Sequence, residues 1–259
     1  MIDLHNDLIT ADNLSIFDKL YTIDNDKNLG VKVCYSIFLN GKNEKYLNNY
    51  AWAKSIDCLS IEDIGGIDNI NEILPFNPKF VTLTWNYNNE YAGGAKDDGN
   101  LTEKGCDVID FLNCHNIAID LSHLNRKSFE NVIKRGKRVL VSHTCFDKIN
   151  QNKRNLTDEQ IDAVIEKGGV IGLCFYSNFL TNNPRATIDD LVRHIDYFCS
   201  NYSFRNLAIG ADYFGMDNGI EELDSYSGFH KIEKSLSKLG YSFEVIDAIL
   251  NTNAKRFLD

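Results

Sequence analysis

Three histidines and three carboxylates stand directly after short apolar runs of the sequence. They are His5, Asp7, Glu62, His123, His143 and Asp212. The chain has six histidines in all, so half of them occupy such positions. Imidazole and carboxylate groups without cysteine thiolate are the ligand set expected for zinc or a similar divalent cation. These residue types predict a metal site, provided that the fold brings them together.

His5 and Asp7 show how one short strand can supply two ligands. Side chains at positions i and i+2 of an extended strand lie on the same side, so both can reach one ion. A His-x-Asp sequence alone is common by chance. Taken singly, a histidine or carboxylate beside a strand end is more often a structural hydrogen-bonding group or a helix cap than a metal ligand. The metal-site prediction therefore depends on their joint positions.

Eight apolar runs could form strands, and segments with helical spacing separate them. The runs are Ile2 to Leu4, Val31 to Phe38, Ile56 to Ile61, Phe80 to Thr84, Ile117 to Leu121, Arg138 to Val141, Gly169 to Phe175 and Leu207 to Ala211. Continuous apolar runs are typical of parallel strands that are buried on both faces. Between two such runs, Ile188, Leu191, Ile195 and Phe198 follow one helical face.

Eight strand–helix alternations in 259 residues predict an α/β fold, a (β/α)8 TIM-type barrel. We expect residues 1–259 to form a single barrel domain, and a doubly wound open sheet is the alternative. In a barrel, the six residues would meet at the C-terminal ends of the strands, where barrel enzymes hold their chemistry. Two long connections, Asn86 to Leu101 and Ser177 to Ala186, follow strand ends and are predicted substrate walls.

Composition and charge exclude several classes of partner. The net charge is −10, from 37 acidic and 27 basic residues, which disfavours nucleic acid. No apolar run reaches the roughly 18 residues of a membrane span, so no membrane partner is expected. The N-terminal residues lack the pattern of a signal peptide. The seven cysteines are spread singly without a C-x-x-C pair, which predicts a reduced, cytoplasmic chain with buried or free thiols.

Six ordered segments span nearly the whole chain. They are Asp3-Leu4-His5-Asn6-Asp7-Leu8, Ile61-Glu62-Asp63-Ile64-Gly65-Gly66, Ile119-Asp120-Leu121-Ser122-His123, Val141-Ser142-His143-Thr144, Arg154-Asn155-Leu156 and Ile209-Gly210-Ala211-Asp212. These segments resemble motifs of the membrane (renal) dipeptidase family of zinc peptidases, within the metal-dependent hydrolase barrel superfamily. The resemblance implies that His5 and Asp7 bind one zinc ion, that His123 and His143 bind another, and that Glu62 bridges the two.

The resemblance also implies roles for two residues outside the ligand set. Arg154 would hold the substrate carboxylate, since a guanidinium fork binds a carboxylate with two parallel hydrogen bonds. Asp212 would be the catalytic residue and would contact the attacking water and the substrate amine. The implied reaction is hydrolysis of the peptide bond of a small dipeptide by a metal-bridging hydroxide, which a two-metal site generates at neutral pH.

The chain departs from the family pattern at several positions. Family members often have glycine where Leu4 and Asp63 stand, and a second acid where Phe214 stands. Some members carry an oxyanion-stabilising histidine where this chain has Trp85. Asn86 could donate a hydrogen bond to the substrate instead, or it could simply cap the loop. The segment between His5 and Glu62 is shorter than usual, which predicts one abbreviated barrel helix near the N-terminus.

Two other functions compete with a dipeptidase. Another binuclear metal-dependent hydrolase, such as an amidase, lactonase or phosphoesterase, would use the same fold and metals. Arg154 favours the dipeptidase, because it has a purpose if the substrate carries a carboxylate. An inactive barrel that serves as a binding protein would be expected to have lost ligands, whereas all five are present. A homodimer is compatible with the sequence.

Overall fold

Eight parallel strands form one closed barrel in the chain order β1 to β8. The computed structural model describes residues 1–259. The strands are β1 (Ile2–Asn6), β2 (Lys32–Phe38), β3 (Leu59–Glu62), β4 (Phe80–Thr82), β5 (Ala118–Asp120), β6 (Val139–Thr144), β7 (Ile171–Leu173) and β8 (Leu207–Ile209). Each strand overlaps one of the eight apolar runs. The predicted (β/α)8 TIM-type barrel is confirmed, and the alternative of an open sheet is wrong.

The helices follow the strands as the helical spacing predicts. They are α1 (Ile16–Asn28), α2 (Glu44–Asn48), α3 (Glu103–Cys114), α4 (Arg126–Arg135), α5 (Asp158–Glu166), α6 (Ser177–Leu180), α7 (Ile188–Asn201), α8 (His230–Lys238), α9 (Phe243–Asp247) and α10 (Asn253–Leu258). Ser15, Thr102 and Asn125 cap α1, α3 and α4 by accepting backbone N–H groups of the first turn. None of the helices combines the length and the apolar character needed to span a bilayer.

Two connections near the N-terminus, rather than the single one predicted, lack a full helix. Only the five-residue α2 and a 3-10 helix (Ala51–Ser55) join β2 to β3. A 3-10 helix (Ile70–Phe76) joins β3 to β4. This second segment contains Pro75, with Pro78 just beyond it, and proline lacks the N–H group that a continuing α-helix requires. The sequence pattern had indicated only one of the two short connections.

The chain forms two compact units. The first unit comprises Met1–Cys34, Ser142–Asp158 and Val170–Asp259, and the second comprises Tyr35–Val141 and Glu159–Gly169. Within the first unit, Ile209 of β8 pairs with Asp3 of β1 and with Leu173 of β7. Within the second unit, β3 pairs with both β2 and β4. That residues 1–259 form a single domain stays a prediction.

The cysteines differ from the sequence prediction at two positions. Cys34 and Cys58 are disulfide-bonded, whereas the other five cysteines have free thiols. The expectation of buried or free thiols throughout is therefore wrong for this pair. The spacing of these two cysteines in the sequence does not indicate a disulfide. Positions distant in sequence come together because β2 and β3 are neighbouring strands: the Tyr35 N–H group donates to the Cys58 carbonyl oxygen at 3.0 Å.

Candidate metal centre

The six predicted site residues lie at the C-terminal ends of five strands. His5, Glu62 and His143 are within β1, β3 and β6, and the other three follow β1, β5 and β8 by one to three residues. All six residues are between 1% and 9% exposed. Charged groups are seldom buried so deeply unless they pair with an opposite charge or bind a metal. Their burial therefore agrees with the predicted metal site.

The His5 cluster consists of His5, Asp7, His143 and Asp212, all in the first unit. His5 Nε2 lies 3.3 Å from Asp7 Oδ2 and 3.8 Å from Asp212 Oδ1. One ligand atom from each of His5, Asp7 and Asp212 lies within 4.8 Å of the others. The ring centroids of His5 and His143 are 3.9 Å apart. Nitrogen and oxygen donors therefore converge on a space of the size that one cation occupies.

The loop after β8 holds the carboxylates of this cluster by close backbone contact. A Cβ atom at Gly215 would lie 2.1 Å from Asp7 Oδ2 and 2.4 Å from Asp212 Oδ1, so a larger residue would displace these carboxylates. Asp212 and Phe214 have φ values of 67°, a left-handed conformation that is unfavourable for residues with a Cβ atom. Such strain persists only where the surroundings enforce it, and it concentrates at functional sites.

Asp3, which the sequence analysis did not assign to the site, supports the His5 cluster from within β1. Its Oδ1 atom accepts the backbone N–H groups of Ala211 at 2.7 Å and His5 at 3.2 Å. The Tyr226 hydroxyl donates to Asp3 Oδ2 at 2.6 Å and accepts from the side chain of Asn6. Burial raises the pKa of Asp3 to about 6, although these hydrogen bonds oppose the rise. The alternation Asp3, His5, Asp7 along one strand face was the signal that could have identified it.

A hydrogen bond determines which ring nitrogen of His143 is available to a metal. Its Nδ1 atom lies 2.8 Å from the Ser142 hydroxyl oxygen. A histidine that binds a metal through one ring nitrogen usually uses the other in a hydrogen bond that fixes the ring. The contact with Ser142 therefore leaves Nε2 as the nitrogen of His143 that is available to a metal.

The His123 cluster consists of Glu62, Asn86 and His123, all in the second unit. His123 Nε2 lies 2.9 Å from Glu62 Oε1, and His123 Nδ1 lies 3.0 Å from Asn86 Oδ1. An amide oxygen only accepts hydrogen bonds, so this contact places the proton of a neutral His123 on Nδ1. Nε2, which faces the Glu62 carboxylate, is then the nitrogen available to a metal. His123 has a φ of 67°, the same uncommon backbone conformation as Asp212.

Asn86 thus orients a predicted ligand, and its predicted contact with the substrate stays a prediction. The loop that follows it is tied to the His123 cluster: Ala95 N–H donates to the His123 carbonyl oxygen and Lys96 N–H to that of Asn86, both at 2.8 Å. The segment from Asn86 to Leu101 therefore borders the cluster, as expected of a substrate wall. The other predicted wall, Ser177 to Ala186, begins with the short helix α6.

Trp85 and Asp63, two departures from the family pattern, are connected to each other. The Asp63 carboxylate accepts hydrogen bonds from Asn89 Nδ2 at 3.1 Å and from the Trp85 backbone. Burial, with a smaller effect of the Glu62 charge, raises the pKa of Asp63 to about 6. The Trp85 ring lies 6.1 Å from the His123 ring and 5.4 Å from that of Phe38, measured between centroids. An aromatic surface therefore stands where some relatives carry a histidine.

Arg154 lies beside the His5 cluster. Its Nη2 atom donates to the His143 carbonyl oxygen at 3.4 Å, and its guanidinium carbon lies 5.4 Å from the centroid of the Phe179 ring. These contacts place a cation next to a predicted metal ligand. That Arg154 binds the substrate carboxylate stays a prediction.

His194 lies outside both clusters and has a structural role. Its Nδ1 atom accepts the Phe146 N–H group at 3.2 Å, and its Nε2 atom lies 3.1 Å from the Leu180 carbonyl oxygen. This pattern requires the neutral ring. Burial lowers the pKa of His194 to about 4. His194 therefore holds together the segments that follow β6 and β7.

The donors of the two clusters fit a divalent metal. They are imidazole nitrogens and carboxylate oxygens, which suit zinc, and Gly215 leaves the carboxylates of the His5 cluster the space of a missing side chain. Ser142 and Asn86 fix the histidine nitrogens that would bind it. In both clusters, neighbouring residues therefore orient the side chains that could bind a metal.

Known proteins resemble this chain in sequence and in fold. An uncharacterized protein in the pqqA 5′ region of Klebsiella pneumoniae is 30% identical over 215 residues, covering 76% of this chain and 79% of that protein. An uncharacterized dipeptidase, C965.12 of Schizosaccharomyces pombe, is 25% identical over 214 residues, covering 77% of this chain. The chain spans about half of that relative's length, 51%.

A solved structure shares the fold at low sequence identity. It is a metallopeptidase from Rhodobacter sphaeroides, liganded with a phosphinate mimic of the dipeptide L-Ala-D-Ala. Its TM-score is 0.84 at 16% identity, with 99% of this chain and 97% of that chain covered. At this identity the likeness shows the fold alone.

The family model for membrane dipeptidase, peptidase family M19, matches residues 70–259. The matched range includes His123, His143, Arg154 and Asp212, while His5, Asp7 and Glu62 precede it. The match extends over well more than half of the chain, and the relative with 30% identity is covered over most of its length. The predicted resemblance is confirmed: the chain belongs to the membrane dipeptidase family M19, whose members are metal-dependent peptide-bond hydrolases.

Proposed function

We propose that this chain is a zinc-dependent dipeptidase that holds two zinc ions. In this proposal His5 and Asp7 bind one ion, His123 and His143 bind the other, and Glu62 bridges both. The observation that carries it is the contact between buried imidazole nitrogens and carboxylate oxygens at 2.9 to 3.8 Å. An ion with ligand distances of about 2.0 to 2.2 Å fits between donors so spaced.

The positions of the proposed ligands at the ends of barrel strands support this assignment. In a closed parallel barrel the C-terminal ends of all strands lie at the same end, and residues from several strands contribute to one site. The bridging role of Glu62 is the one that the family resemblance implies. A bridging carboxylate allows the close spacing of a two-metal site.

The metals and the residues of this chain would have different roles in the reaction. When bound, two zinc ions polarise the scissile carbonyl and lower the pKa of water. Asp212 takes a proton from the attacking water and delivers it to the leaving amine. Arg154 binds the substrate carboxylate through its guanidinium fork. Asn86 holds His123 with its oxygen, and its amide nitrogen is the candidate donor to the substrate.

A small dipeptide is the proposed substrate. Arg154 and two divalent cations provide positive charge for a free carboxylate, although the chain carries a net charge of −10. The phosphinate bound to the Rhodobacter sphaeroides neighbour mimics a dipeptide, which supports this substrate class. Amides, lactones and phosphoesters are the competing substrates of a metal-dependent barrel, and Arg154 argues against those without a carboxylate.

We also propose a cytoplasmic location, which the five free cysteines support and the disulfide-bonded Cys34 and Cys58 oppose. Cell fractionation of the tagged protein tests it. The oligomeric state, for which a homodimer is the candidate, is measured by light scattering of the purified protein.

Metal analysis and a substrate panel test the proposed function. The purified protein should contain two zinc ions per chain and should cleave free dipeptides faster than peptide amides, lactones or phosphoesters. Glu62→Gln should lower both the metal content and the activity. A control variant, Glu233→Gln in α8, changes a carboxylate far along the chain from every ligand and should leave both unchanged. Cleavage of lactones or phosphoesters without dipeptides would refute the proposal.

A further inference from the structure

Cys174 contacts the predicted catalytic carboxylate. It directly follows β7 and is fully buried. Its Sγ atom donates a hydrogen bond to Asp212 Oδ2 at 3.6 Å. The family motifs of the sequence do not include Cys174, and a lone cysteine would ordinarily count as a small core residue.

The two oxygens of Asp212 have different surroundings. Oδ1 lies 3.8 Å from His5 Nε2 and against Gly215, on the side of the metal ligands. Oδ2 receives the Cys174 thiol. Rotation of the carboxylate would exchange the two oxygens, so a donor on one of them determines which oxygen faces the ligands.

The Cys174 thiol is itself held in a defined direction. The Tyr176 N–H group donates to its sulfur at 3.4 Å, which leaves the thiol hydrogen for Asp212. The Cys174 carbonyl oxygen accepts a hydrogen bond from the Cys145 thiol at 3.4 Å. Burial, with the Asp212 charge as a smaller cause, raises the pKa of Cys174 well above its usual value, so the group remains a donor.

We propose that Cys174 is a positioning residue of the dipeptidase reaction, whose thiol holds the Asp212 carboxylate with Oδ1 turned toward the metal ligands. This inference rests on the proposed function. Proton transfer depends on the alignment of donor and acceptor, and a carboxylate free to rotate would spend less time aligned. The hydrogen bond also keeps Oδ2 turned away from His5.

Two substitutions separate positioning from packing. Cys174→Ala removes the donor and should lower kcat about 10-fold, within the 10- to 100-fold range typical of residues that orient a catalytic or metal-binding group. KM and metal content should stay unchanged. Cys174→Ser retains a hydroxyl donor and should restore most of kcat. Cys199→Ala in α7, which removes a thiol that is hydrogen-bonded to Tyr241, is the control and should leave kcat unchanged.

The infrared S–H stretching band supplies a readout that does not depend on activity. The difference between wild-type protein and Cys174→Ala isolates the band of this thiol. It should lie at the low frequency of a strongly hydrogen-bonded thiol, and it should move to higher frequency in Asp212→Asn, where the acceptor loses its charge. A band unaffected by Asp212→Asn would overturn the inference, as would Cys174→Ala with wild-type kcat. If wild-type protein cleaves no dipeptide while the band shifts as expected, the proposed function fails and the contact stands.

Discussion

The His5 cluster and the His123 cluster present similar donors, yet different interactions orient them. In the His5 cluster, Asp212 lies in a strained loop, and Asp3 accepts backbone N–H groups from β1 and from the segment after β8. In the His123 cluster, one amide, that of Asn86, orients the histidine. The first cluster contains the candidate proton carrier, whereas the second orients its histidine through the Asn86 amide. We therefore expect substitutions in the first cluster to affect mainly the rate of the reaction. Substitutions in the second cluster should affect mainly the affinity for metal.

Asp212→Asn should produce the largest effect, because it removes proton transfer while keeping the shape of the side chain. Loss of a positioned general base or acid typically lowers the rate 10²- to 10⁴-fold, and we expect kcat to fall by about that much. Both metals should remain bound. Asp217→Asn, in the same loop and exposed to solvent, is the control. Near-normal turnover would remove Asp212 from the mechanism, and loss of metal would make it a ligand.

Arg154→Ala tests whether the cation beside the His5 cluster binds the substrate. Removal of one partner of a desolvated charged pair should weaken transition-state binding by about 2 to 4 kcal/mol, measured from kcat/KM on free dipeptides. The metal content and the fold should be retained. Lys153→Ala, the exposed neighbour, should have normal kinetics. Equal cleavage of peptide amides and free dipeptides by the wild type would contradict the role of Arg154.

Asn86→Ala tests the hydrogen bond that orients His123. The loss of a hydrogen bond that orients a ligand histidine should lower metal affinity about 10- to 100-fold. Asn86→Asp keeps an oxygen that can accept from His123 Nδ1 and should retain most of the affinity. Ser142→Ala, the corresponding change beside His143, should lower metal affinity less, because the hydrogen bonds of Asp3 also hold the His5 cluster. Metal affinity is measured by competition with a chelator. A larger loss of affinity in Ser142→Ala than in Asn86→Ala would contradict the expected difference between the two clusters.

His194 lies outside both clusters, and its protonation should change the stability of the fold rather than the reaction. Its pKa is about 4 in the folded chain, against 6.5 for an ordinary histidine. Between these values the unfolded chain binds a proton that the folded chain does not, so acid favours unfolding. The free energy of unfolding should fall by at most about 1.4 kcal/mol per pH unit below pH 6.5. His194→Gln should show a weaker dependence in urea unfolding at pH 7 and pH 5, and an equal dependence would exclude His194 as its source.

The sequence by itself determined the strands and the candidate ligands. Strands buried on both faces are continuous apolar runs, so all eight could be located from residue types alone. The ligands His5 and Asp7 could be paired because side chains two residues apart share a face of a strand. The order of motifs along the chain also indicated the family before any coordinates were considered.

Only the tertiary structure decided which groups support those ligands. Asp3 and Tyr226 are separated by 223 residues and Cys174 and Asp212 by 38, and each pair meets because strands distant in sequence lie close together. The disulfide-bonded Cys34 and Cys58 depend on neighbouring strands in the same way. The left-handed backbone of His123 and Asp212 also has no local signal, since neither residue type requires it. Local patterns report burial and periodicity, whereas these contacts and strained conformations arise only when the closed barrel holds them in place.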